Sequence, residues 1–133
     1  EADNRRRHQA RSGALVMDLK IAKEFIHIEG WLDRAQDIVA HGEATYFADV
    51  LLQEAGDSIM MKLGEAARRL HAMNVAPPDG IEWSLAVANR NFIIHQYDEI
   101  SRPLTWETLA VDLPEWRRQL SDLITQARSR LRN

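Results

Sequence analysis

The chain of 133 residues contains no cysteine, so disulfides and thiolate metal ligands are both excluded. No apolar run approaches the ~18 residues of a membrane-spanning helix, and no signal-peptide core is visible. A cytoplasmic protein that stays off the membrane is therefore expected. A glycine-rich phosphate loop is missing too, so the chain is not expected to bind or hydrolyse nucleotides unaided. Metal-ligand spacing is equally poor. A di-iron helical bundle needs Glu-x-x-His on two helices, and Glu24-Phe25-Ile26-His27 stands alone. Neither a metal nor a cofactor of its own is expected.

A surplus of positive charge is also lacking, since the net charge is −3. Its distribution says more than its sum. Residues 1–16 carry four arginines against Glu1 and Asp3, or +2, and residues 113–133 carry five against Glu115 and Asp122, or +3. The stretch 17–112 is therefore −8. Such an acidic centre excludes a general nucleic-acid coat, which needs a broad basic face. It leaves room for a local basic site or a protein partner. The terminal arginines read either as solvated faces or as guides for a polyanion.

Proline and glycine are scarce, and aliphatic residues recur at helical spacing. Residues 1–16 read as a basic, mobile extension, and 17–133 as a single domain. Ile21, Phe25, Ile28, Leu32, Ala35 and Val39 form one seam of a helix from Asp18 to Ala40, ended by His41-Gly42. Leu52, Gly56, Ile59, Leu63, Ala66 and Leu70 mark a second. Gly56 and Gly64 each weaken it by ~1 kcal/mol relative to alanine, which a close helix–helix approach or a kink would explain. Pro77-Pro78-Asp79-Gly80 is a loop. Ile81, Leu85, Ala88, Phe92 and His95 form the seam of a third helix that frays near Tyr97, before Ser101-Arg102-Pro103. Thr105 is a candidate N-cap for a short helix through Val111. Pro114 suits the first turn of a last helix with the seam Trp116, Leu120, Leu123, Ala127 and Leu131. The fold class is all-α, an up-and-down bundle of four main helices plus a short one.

The chemistry concentrates in Arg90-Asn91-Phe92-Ile93-Ile94-His95-Gln96-Tyr97. Arg90 and His95 lie ~140° apart around a helix, so both can line one rim of a groove. A guanidinium fork holds phosphate oxygens, and imidazole moves protons near neutrality without a metal. The pair therefore suits phosphodiester cleavage. By spacing alone His95 also reads as a core histidine, Arg90 as the surface partner of Glu82 or Glu99, and Tyr97 as an aromatic plug.

Arg-Asn, three residues, then His-x-Tyr resembles the signature of the HEPN superfamily, and the chain is most similar to HepT-like ribonuclease toxins. Leu63-Gly64-Glu65-Ala66-Ala67 resembles the Gly-Glu-Ala segment of that family's second long helix. Trp106 through Leu113-Pro114 resembles the helix after the motif, and together the likeness spans roughly residues 17–131. The resemblance implies a homodimer that cleaves RNA by attack of a ribose 2′-hydroxyl, leaving a 2′,3′-cyclic phosphate and a 5′-hydroxyl. Arg90 would hold the scissile phosphate, His95 would move protons, and Asn91 would assist. Tyr97 matches the residue to which a partner minimal nucleotidyltransferase (MntA-like) antitoxin attaches AMP from ATP, silencing the nuclease. Glu65 reads as a solvated glutamate or as an interhelix or dimer contact. Two other readings stand beside this one. Asp98-Glu99 would repel RNA and fits a catalytically silent subunit of the nucleotidyltransferase. The third reading is a dimerisation bundle with no nucleic acid.

Overall fold

The computed structural model describes residues 17–132, and all their side chains except those of Ile94, His95 and Tyr97. The arginine-rich leader over 1–16, and its expected mobility, lie outside the described residues. Helix α1 spans Leu19–Ala40, capped by the Asp18 carboxylate, which accepts from the Lys20 and Ile21 amides at 2.8 and 3.3 Å. His41 and Gly42, at φ 91°, end it where the sequence indicated. Helix α2 is a short turn over Glu43–Ala48 that periodicity did not separate. Helix α3, Val50–Ala72, starts on the Asp49 carboxylate, and α4 follows the proline loop over Trp83–His95. A 3₁₀ turn at Tyr97–Glu99 leads to the short α5, Arg102–Glu107. A π turn at Thr108–Asp112 then carries the chain without interruption into α6, Leu113–Arg132.

No strand occurs among the described residues, and the four long helices form the expected bundle. Helix α1 packs chiefly against α6 and α3, and α3 against α4. Phe25, Ile28, Leu32, Leu63, Leu70 and Leu120 meet in the centre. No helix among the described residues is long and apolar enough to cross a membrane.

Three details differ from the periodic reading. Leu131, the last residue of the expected α6 seam, is exposed near the helix end. The seam of α4 is reversed. Leu85, Ala88 and Phe92 are exposed, while Trp83 and Ile93 are buried. This helix is apolar on both sides, so period alone could not choose a face. Thr105 is not an N-cap. Ser101 caps α5 through its Oγ, and Thr105 is buried inside the helix, 2.5 Å from the Tyr46 hydroxyl.

The glycines explain how closely α3 is approached. A Cβ on Gly64 would meet the Ala86 carbonyl at 2.7 Å and, closer still, Arg90 Cβ. One on Gly56 would meet only the Leu109 Cδ1 methyl, at 2.9 Å, and one on Gly30 in α1 would meet nothing. Gly64→Ala should therefore destabilise by ~1–3 kcal/mol, because backbone cannot step aside. Gly56→Ala should be near neutral, since a rotating leucine methyl offsets the helix-propensity gain of ~1 kcal/mol. Gly30→Ala should stabilise by ~0.5–1 kcal/mol. Urea midpoints of the three variants check the order.

Candidate active site

Arg90 leaves α4 on the side that packs against α3, where Gly64 lets the two helices close. Its guanidinium is then fixed from two directions. Nε lies 3.2 Å from Oε2 of Glu65 on α3, and Nη1 donates to Asn91 Oδ1 at 3.0 Å. Arginine has five N–H groups in a rigid fork. Nε is held by its ion pair with Glu65 and one Nη1 proton by Asn91, and the Nη2 side has no hydrogen-bond partner among the described residues. That geometry presents a pre-set donor pair to a phosphate.

Glu65 is the residue that the sequence left undecided, and Glu82 and Glu99 are not the partners of Arg90. It gathers three arginines. Arg68 binds it through Nη2 at 2.5 Å and Arg69 Nη1 lies 3.4 Å away, in addition to Arg90. The hydrogen bond from Arg68 holds the carboxyl below the ordinary glutamate range; desolvation opposes it, and the charges of Arg68, Arg90 and Arg69 add to the lowering. Glu65 therefore stays ionised at neutral pH. The network reaches α1 through Glu24, whose Oε1 accepts from Arg69 Nε at 2.5 Å. The one signal in the sequence that pointed here was Gly64-Glu65-Ala66: a small residue for contact beside a charged one.

Of the expected site residues, Arg90 and Asn91 are brought into direct contact. His95 is the last residue of α4 and Tyr97 opens the 3₁₀ turn two residues on. Their side chains lie outside the described ones. Asp98 and Glu99 are exposed just past Tyr97.

The arginines of α6 are largely committed elsewhere. Arg117 pairs with Asp33 and Arg128 with Glu29, clamping α6 to α1, while Arg118 pairs with Glu115. Arg130 Nε donates to the Met17 carbonyl at 2.8 Å. They serve helix pairing more than polyanion capture. The arginines of residues 1–16 lie outside the described residues. No group of three or more histidines and carboxylates suited to a metal occurs among the described residues.

A family model described as ribonuclease HepT-like matches residues 28–123 of this chain. No curated protein and no solved structure matches it.

Proposed function

The chain belongs to the HepT-like ribonuclease family, and we propose that it is the endoribonuclease toxin of a toxin–antitoxin pair, cutting RNA without a metal. The observation that carries this reading is the fixed guanidinium of Arg90, held by Glu65 and Asn91 five residues before His95. In the reaction, His95 takes the proton from a ribose 2′-hydroxyl and the 2′-oxygen attacks the adjacent phosphorus. The bond to the 5′-oxygen breaks, and that oxygen leaves with a proton. The products are a 2′,3′-cyclic phosphate and a 5′-hydroxyl end. RNA supplies the nucleophile and DNA does not. Arg90 neutralises charge that builds on the phosphorane, and Asn91 orients Arg90.

One imidazole can perform the two proton transfers only in succession. A homodimer that pairs two motif ends removes that constraint, and α4 offers a face for it. Leu85 is 65% exposed and Phe92 44%, in one row with Ala88, which is unusual for an isolated helix surface. Silencing follows from position. AMP transferred from ATP to the Tyr97 hydroxyl by an MntA-like nucleotidyltransferase places an anion two residues from His95, where it repels an RNA backbone.

One observation favours a second reading, a silent regulatory subunit of that nucleotidyltransferase. Glu65 already offsets the charge of Arg90, and Asp98 and Glu99 stand exposed beside the motif. Intact mass, followed by RNA cleavage in metal-free buffer with a His95→Ala control, separates the two. Cyclic-phosphate ends that disappear in the variant are expected. Unmodified protein that cuts no RNA would leave the silent subunit.

A further inference from the structure

A groove of about 440 Å³ runs between α1 and α3, and Arg90 is not among its lining residues. Lys20, Lys23, Glu24 and His27 line one wall, at i, i+3, i+4 and i+7 of α1. Arg68, Arg69, Ala72 and Met73 line the other. Four cations thus line it beside Glu24, inside a stretch, 17–112, whose net charge is −8. Arg68 and Arg69 are already paired with Glu65 and Glu24. Lys20 and Lys23 are exposed and form no ion pair among the described residues. The base of the groove is apolar, made by Ala72, Met73 and the aliphatic stems of the basic side chains.

Two further observations fix the kind of ligand. At one end the exposed His27 ring lies 5.9 Å from that of Trp31, one turn along α1, so that two rings form a short aromatic row. Cations that track a backbone, next to rings on which bases stack, are what an unpaired nucleic-acid strand needs. An acidic protein would need only the cations. The groove is also joined to the candidate site through Glu65. Arg69 of the groove wall lies 3.4 Å from Oε1 of that carboxylate, and Arg90 lies 3.2 Å from Oε2.

We propose that the α1–α3 groove is the track that holds single-stranded RNA flanking the scissile phosphate, with Lys20 and Lys23 on phosphates and His27 beneath a base. The inference rests on the ribonuclease reading above for its function, but its binding test does not. The eight residues from Lys20 to His27 span ~10 Å of wall, enough for a short run of strand.

The test measures binding of a labelled, unstructured single-stranded RNA to the His95→Ala protein across a salt series. Adding Lys20→Ala and Lys23→Ala should weaken binding ~10-fold and make the slope of log K against log salt shallower by ~1.4, since each single-strand phosphate contact contributes ~0.7. Adding His27→Ala instead, at pH 8, should weaken binding ~5-fold or more with the slope unchanged, as loss of stacking does. In the active protein, Lys20→Ala with Lys23→Ala should slow cutting of a long RNA ~10-fold and leave a dinucleotide unaffected, because only the long RNA reaches the groove. Unchanged affinity and slope in the lysine variants would overturn the track, as would absence of RNA binding by the parent protein. If the lysines instead weaken only binding of the nucleotidyltransferase, the groove is a protein surface and the track is overturned. Groove-dependent binding without any cleavage would keep the track and remove the nuclease. Cleavage indifferent to the groove would do the reverse.

Discussion

Arg90→Ala should cut RNA ~10²–10³-fold more slowly than the unaltered protein, the usual loss when one pre-set donor to a developing charge is removed. Its melting temperature should barely move. The Arg90–Glu65 pair is partly exposed, with 27% of each side chain accessible, and such pairs contribute at most ~1 kcal/mol. Arg90→Lys should recover little, because an ammonium is a point charge without the planar fork that binds a phosphate through two parallel donors while Glu65 and Asn91 hold it. Glu65→Gln separates charge from position. It releases Arg90 from its ionic anchor without changing side-chain volume, so the rate should fall by less than in Arg90→Ala. The pH dependence has a definite sign. A carboxyl whose folded value is depressed contributes fully above its ordinary range and loses that contribution only as pH falls through the lowered value. A pH–rate profile should thus show no loss traceable to Glu65 until below the ordinary glutamate range. Single-turnover cleavage and thermal melts of the same preparations check both halves. An Arg90→Ala protein that cuts at the normal rate would remove Arg90 from the chemistry.

The bundle was readable because α1, α3 and α6 each carry one apolar seam against a polar remainder. Phe25, Leu63 and Leu120 are buried where the spacing put them, but at the end of α6 the expected Leu131 is exposed and Ile124 is more buried than Leu123. Helix α4 was not readable in the same way. Trp83, Leu85, Val87, Phe92 and Ile93 surround it, and the 85–88–92 row that looked like a core seam is the open one. That open row is the face to which the proposed homodimer is assigned. Thr105 and Ser101 were confused because both are good capping residues four apart. Only the partner across the bundle, Tyr46, decides between them. At the site, the motif supplied Arg90 and Asn91, but the anchor at Glu65 lies 25 positions upstream in Arg90's own numbering. A contact at that separation leaves no periodic trace, and the adjacent Gly64 was its one local sign.

Neither Asp57 nor Arg102 stood out in the sequence, yet breaking their contact should have the largest effect on stability. Asp57, 3% exposed, accepts from Arg102 Nη1 at 2.7 Å and from Nη2 at 3.0 Å. The Asp57 hydrogen bonds push the guanidinium pKa upward against the opposing effect of burial, with a smaller contribution from Tyr46. The same turn is tied twice more. Thr105 Oγ1 donates its single proton to the Arg102 carbonyl at 3.1 Å, so the Tyr46 hydroxyl is the donor in its 2.5 Å contact with Thr105. Asp57→Ala leaves the half-buried Arg102 fork without its partner, and losing one member of a buried pair costs ~3–5 kcal/mol. For a chain of this size that corresponds to ~10–20 °C in melting temperature. Asp57→Ala with Arg102→Met should regain most of it, because removing both charges costs far less than orphaning one. A double variant no more stable than Asp57→Ala would mean that packing, not the unpaired charge, sets the loss. Activity should respond as well. The pair fastens α5 to α3 only five residues after Tyr97, so it anchors the strand of chain that leaves the motif. At temperatures where Asp57→Ala is still folded, cleavage should already be reduced, and the Arg102→Met partner change should restore it.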